Sequence, residues 1–323
     1  MKSINNGKLS VGGQAVIEGV MMRSPNRISM AVRNPQNEIE ILGWDFEPIS
    51  KKSKILGLPI IRGVVNLGEM LYWGVKTLQI SAQIASGEKG EEPSFGSKLW
   101  SALSLVIGLT VGVALFAYFP LYSSGLLGLK DKPFMFNLFA GLVRVVLFLG
   151  YLFAISLMKD VKRLFRYHGA EHKTIFAFEN GEPLIPDRVQ KYSTLHPRCG
   201  TSFLLIVAVI AIIFFALFDG ICYAIWGFAP RPIIRLPIHL LLFPILAGIS
   251  YEFLKFSAKL SSDNWFGKII VAPGLWLQKI TTQPPDNSML EVAIASLMDS
   301  IKNISIGHNF KGKNQESIGD DIG

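Results

Sequence analysis

Charge is what this sequence has least of. Only 17% of its 323 residues are Asp, Glu, Lys or Arg, where a soluble domain carries about a quarter. That shortfall excludes an ordinary soluble domain. A hydrophobic fraction of 50% and a mean hydropathy of +0.38 point to a membrane protein instead. Cysteine is also scarce: the two residues, Cys199 and Cys222, fall near opposite ends of one apolar run, too far apart to bridge, so no disulfide framework is expected. Met1 to Ser10 lack the apolar core of a secretory signal, which leaves the first spanning helix to direct insertion. No internal repeat is evident, which counts against an inverted-repeat transporter. The glycines around Gly12, Gly13 and Gly19 do not have dinucleotide-site spacing, and nucleotide binding is not expected.

What is abundant is apolar sequence in long runs. Four stretches approach the ~20 residues a bilayer requires: Trp100 to about Pro120, Phe134 to Met158, Thr201 to about Phe218 with apolar character continuing to Phe228, and Ile233 to Leu254. The segments before the first run, between the second and third, and after the fourth carry most of the Lys and Arg. By the positive-inside rule both termini and the loop of residues 159–200 face the cytoplasm. The net charge of +8 then reflects basic cytoplasmic loops beside anionic lipid, not nucleic acid. The expected fold is an α-helical polytopic membrane protein, with four transmembrane helices over 100–258 and a small α+β cytoplasmic portion.

Outside the spans, partly alternating apolar residues at Gln14 to Met22, Ile28 to Arg33 and Glu38 to Phe46 read as a β-meander within 1–58. Ile60 to Ala85 reads as an interfacial or packing helix, followed by a charged linker to about 99. In the C-terminal segment, 259–303, a short apolar stretch is broken at Pro273-Gly274 and Met289 to Met298 form an amphipathic helix. Residues 304–323 read as a disordered tail.

The chemistry concentrates at Tyr167 to Lys173. His168, Glu171 and His172 form His-x-x-Glu-His, and on a helix both imidazoles share a face where they can hold one metal ion. This is the inverzincin spacing, with Glu171 as the candidate catalytic base acting on a Zn²⁺-bound water. The structural alternative is a solvated helix surface, and Gly169 inside the motif weakens the helix by about 1 kcal/mol. Further ligands would come from His196 or Cys199, at the turn before the third span, or from Glu252 at the cytoplasmic end of the fourth. Glu18 is another candidate, as an acidic residue inside an apolar strand that needs a partner; Arg23 and Arg62 are the alternative partners. Arg144 and Asp219 interrupt the second and third spans at similar depth and are expected to pair, with His239 joining by hydrogen bond.

Four longer motifs carry a family resemblance: Gly12 to Arg23, Tyr167 to Lys173, Leu195 to Phe203 and Pro273 to Gln278. In these the chain resembles the YqhQ-like bacterial membrane proteins, a family with a domain of unknown function and the label "predicted metal-dependent enzyme". The resemblance implies a bacterial cytoplasmic membrane protein and a metal-dependent activity. It assigns no catalytic residues, so the roles above rest on spacing. The functional expectation is a Zn-dependent hydrolase acting on a lipid or peptide bond at the cytoplasmic face. The alternatives are a non-enzymatic membrane scaffold or assembly factor, and a thiol enzyme using Cys199 with His196. The partners expected are the lipid bilayer and other membrane proteins or further copies of the chain.

Overall fold

The computed structural model describes residues 9, 11–87, 95–197, 199–227, 232–260, 265–302 and 304. Its N-terminal part is an antiparallel meander of β1 (Gly12–Val16), β2 (Gly19–Arg23), β3 (Arg27–Arg33) and β4 (Ile39–Asp45), paired in chain order. Residues 14–22, which read as one alternating stretch, are a hairpin in which Val16 pairs Gly19. Glu18 therefore sits at its turn, with φ of 52°, and not inside a strand. The tail expected over 304–323 lies, apart from 304, outside the described residues.

Alternation along the two inner strands explains why the sheet is covered on both faces. Val20, Met22 and Ala31 point into one core, while Met21, Ile28, Met30 and Val32 point into another. Helix α1 (Ile61–Ser86) supplies Trp73, Ile80 and Ile84 to the second core and ends at Gly87, whose φ of 74° closes the helix in the left-handed region. The first core is filled by α5 (Lys159–Glu179) and α10 (Asn287–Ile301). Asp286 caps α10 by accepting from the Met289 N–H.

Among the described residues, four helices are long and apolar enough to cross a membrane: Ala102–Leu126, Pro133–Ser156, Leu205–Trp226 and Ile234–Phe253. They coincide with the four apolar runs in the sequence. The first combines α2 (Phe95–Val113), a π-helical turn (Ala114–Tyr118) and α3 (Phe119–Leu126). The others belong to α4 (Pro133–Ser156), α7 (Gly200–Trp226) and α8 (Pro232–Leu260), with the short α6 (Pro186–Val189) between α5 and α7. Helix α9 (Trp265–Thr281) continues through Pro273 and Gly274 where the sequence reads as broken.

The expected Arg144–Asp219 pair does not form. Arg144 Nε donates to the Phe116 carbonyl at 2.8 Å, within the π-turn. A π-turn shifts the helical hydrogen-bond register, so a carbonyl there can accept from a side chain. Asp219 is held instead by Arg235, with His239 and Asn137. His239 thus joins Asp219 as read, beside a different arginine.

Candidate metal centre

Helix α5 begins after α4 stops at Ser156, with Met158 extended and Asp160 in its first turn, where a carboxylate suits the helix dipole. Its first half carries Lys and Arg and is largely exposed. From Tyr167 to Ile175 every residue is buried, between the sheet, α10, α6 and the end of α9 with the chain after it. The His-x-x-Glu-His residues are therefore interior, and the solvated-surface alternative does not hold for them.

Gly169 makes that packing possible. A Cβ there would lie 2.1 Å from the Gln283 carbonyl oxygen. The close approach lets the Gln283 N–H donate to the Phe165 carbonyl at 2.9 Å, and His168 Nδ1 donate to the Thr281 carbonyl at 2.8 Å. His172 Nδ1 donates to the Thr194 carbonyl at 2.5 Å. A carbonyl only accepts, so each imidazole carries a proton on Nδ1, and in the neutral form of the ring presents a bare Nε2. This is the outer-shell arrangement that orients metal-binding histidines.

Both Nε2 atoms converge on Cys199. His168 Nε2 lies 3.2 Å from Cys199 Sγ, and the ligand atoms of His168, His172 and Cys199 all fall within 4.8 Å of one another. The three residues are buried, His172 to 1% exposure. His172 Nε2 makes no hydrogen bond of ordinary geometry and has the Cys199 thiol beside it. Burial holds the His172 imidazole below the usual histidine range, against the pull of that thiol, so the ring stays neutral as a ligand must. The cluster suits a metal ion.

Glu171 lies alongside but is not one of the three ligands. Burial pushes its carboxyl up to about 7, opposed by His168 and by the Gly13 N–H that it accepts. Gly13 belongs to β1, and a Cβ there would come within 3.0 Å of the Glu171 carboxyl carbon. The neighbouring Lys173 ties α5 to the loop before the centre, its Nζ donating to the Gln190 and Tyr192 carbonyls at 2.6 and 2.7 Å.

The remaining candidates are placed differently. His196 is buried beside the cluster, its ring 5.7 Å from that of His172 and its Nε2 3.6 Å from a Glu179 oxygen. Its backbone N–H and carbonyl both pair with the Gln278 amide, at 2.7 and 2.8 Å. Glu18 forms a two-point ion pair with Arg163 and accepts from Tyr167 Oη at 3.2 Å. Glu252 forms one with Arg62 at 2.6 and 2.5 Å. Neither carboxylate stands with the imidazoles, because each is engaged by an arginine on a neighbouring element. Sequence reasoning missed Gln278, Gly13 and the two carbonyl partners. A glutamine at the end of the apolar stretch Ile269 to Leu277 is the signal that marks Gln278, whereas backbone carbonyls leave none.

Residues 58–303 match the family described as protein of unknown function (DUF1385). The chain is also similar to the uncharacterized protein YqhQ of Bacillus subtilis (strain 168), with 31% identity over 302 residues, covering 90% of this chain and 92% of that protein. No solved structure matches. The chain belongs to this YqhQ-like DUF1385 family.

Proposed function

We propose that this DUF1385 protein is a zinc-dependent hydrolase at the cytoplasmic face of the bacterial cell membrane. His168, His172 and Cys199 would hold the metal and Glu171 would be the general base. One observation carries the reading: three buried donor atoms lie within 4.8 Å, and two are imidazole nitrogens bared by carbonyl bonds on the far side of each ring. Two neutral imidazoles and a thiolate suit zinc, and three protein ligands leave a fourth tetrahedral position open, as in catalytic sites.

Bound zinc would supply a water of pKa near 7 and a Lewis acid for a carbonyl. The chain's own groups do the rest. The Thr281 and Thr194 carbonyls fix the rings. Gly13 N–H holds one carboxyl oxygen of Glu171, whose pKa of about 7 suits taking up a proton and returning it to a leaving group at neutral pH. The substrate class is an ester or amide bond of a lipid or peptide, which the adjoining apolar helices bring to this depth.

Elemental analysis of the purified full-length protein beside a His168→Ala/His172→Ala variant tests the centre. Near-stoichiometric zinc in the wild type, lost in the variant, is the expected result; no metal in either after reloading rejects it. Glu171→Gln should keep the zinc and abolish turnover of an ester or amide substrate, and retained turnover removes the assigned role.

The burial of all three ligands favours a second reading, a closed structural zinc in a scaffold, with His196 as the fourth ligand. Cobalt substitution separates the two. A visible spectrum that shifts on adding azide indicates the open position of an enzyme, and an unresponsive one indicates the scaffold.

A further inference from the structure

The candidate metal centre lies on α5, the helix that follows the C-terminal end of α4, and at the N-terminal end of α7. A second polar cluster lies toward the opposite ends of those helices, and nothing in the proposed hydrolase uses it. It consists of Asn137 on α4, Asp219 on α7, and Arg235 and His239 on α8. All four are buried, Arg235 and Asp219 to 1% exposure.

The donors and acceptors do not balance. Asp219 Oδ2 accepts from Asn137 Nδ2 at 2.9 Å and faces Arg235 Nε at 3.5 Å, while Oδ1 faces His239 Nε2 at 3.3 Å. The carboxylate is thus shared among three donors and spends itself on one edge of the guanidinium. Among the described residues, Arg235 Nε, Nη1 and Nη2 make no hydrogen bond, and neither does His239 Nδ1. The Phe136 ring covers one guanidinium face at 3.9 Å, and Phe215 stacks on His239 at 3.9 Å. Both polar groups are therefore held in fixed planes, with nitrogen atoms left over.

A buried guanidinium with its Nη fork unpaired is costly. Its planar fork matches the two oxygens of a phosphate or carboxylate better than it matches a single water. Depth favours phosphate. Arg235 is the fourth residue of α8 and Asn137 the fifth of α4. At ~1.5 Å per residue that is about 6 Å inside the helix ends, near the level of lipid headgroups. The exposed Lys132 at the same end of α4 adds positive charge.

We infer that Arg235, oriented by Asp219 and Phe136 and joined by His239, binds one phosphate-type oxyanion, from a lipid headgroup or from free phosphate. The test uses the full-length protein, delipidated in a non-ionic detergent. Thermal unfolding is followed against inorganic phosphate, phosphatidylglycerol and, as a phosphate-free control, diacylglycerol. The wild type should show a saturable upward shift with a phosphate-bearing probe and none with diacylglycerol. Arg235→Lys keeps the charge but loses the fork, and should weaken that response at least tenfold. A response to phosphatidylglycerol alone assigns a headgroup, and a response to inorganic phosphate assigns a free oxyanion. If Arg235→Lys does not fold, His239→Gln takes its place under the same criterion. No saturable response in the wild type, or equal responses in wild type and variant, overturns the site.

Discussion

At the scale of single residues, Gly169 sets two effects against each other. Replacing glycine by alanine within a helix gains about 1 kcal/mol of propensity. The added Cβ would stand 2.1 Å from the Gln283 carbonyl oxygen, which is backbone and cannot swing aside. Overpacking of that kind costs about 1–3 kcal/mol, so the clash should win. Gly169→Ala is expected to lower the unfolding midpoint and, by moving the Thr281 carbonyl off His168, to reduce bound metal. A variant that is more stable and retains its metal would show that the segment after α9 moves freely. Glu171 gives a prediction with a definite sign. Its native pKa is raised from 4.5 to about 7, so in the metal-free protein the folded state holds its proton where the unfolded chain has lost it. Stability from this group is then present at low pH and declines as pH rises from about 4.5 to 7, by an amount on the order of 3 kcal/mol. Glu171→Gln should flatten that slope in pH-dependent denaturation. The His-x-x-Glu-His residues were legible because their spacing is local. Glu18 and Glu252 were not, because Arg163 and Arg62, which claim them, lie far away in sequence.

At the scale of elements, helices that signal by length were readable and the hairpin was not. The four apolar helices stand where runs of about 20 apolar residues stand. The β1–β2 turn carries Ile17 and Glu18, with none of the Gly, Asn or Asp that usually announces a two-residue hairpin. The close approach of β3 to the residue after the turn is visible only in three dimensions: a Cβ on Gly19 would lie 2.2 Å from the Ala31 carbonyl. Proline was likewise a poor guide in α9, which runs through Pro273 with its apolar side against neighbouring helices. The Gln278 amide is the element-scale counterpart of the candidate ligands, since it joins α9 to the His196 turn by two hydrogen bonds. Gln278→Leu would fill the same space and leave a buried N–H and carbonyl unpaired, at about 1–3 kcal/mol. A lower unfolding midpoint is expected, together with weaker metal retention during dialysis. Unchanged retention would mean that Cys199 is held without that clasp.

At the scale of the whole molecule, the candidate centre is an assembly of remote segments. Gly13 comes from the sheet, His168 to His172 from α5, Thr194 and Cys199 from the turn before α7, and Thr281 from the end of α9. No stretch of sequence displays this convergence, which is why the third ligand was open among several residues until the chain was folded. The same convergence means that a bound ion would tie these segments together, and ligand binding stabilises the native state by an amount that grows with the logarithm of free ligand over its dissociation constant. With free zinc at a hundred times its dissociation constant, the gain would be about 2.7 kcal/mol. Removing metal with a chelator should therefore lower the unfolding midpoint of the full-length protein. It should also raise amide exchange around Thr194, Cys199 and Thr281, which all supply groups to the centre. The ends of α4 and α8 around Asn137 and Arg235 belong to the separate Asp219 cluster and should exchange as before. A uniform rise along the chain would mean that chelation unfolds the protein globally. No rise at either segment would mean that packing alone holds the junction, and that His168, His172 and Cys199 are not joined by a metal.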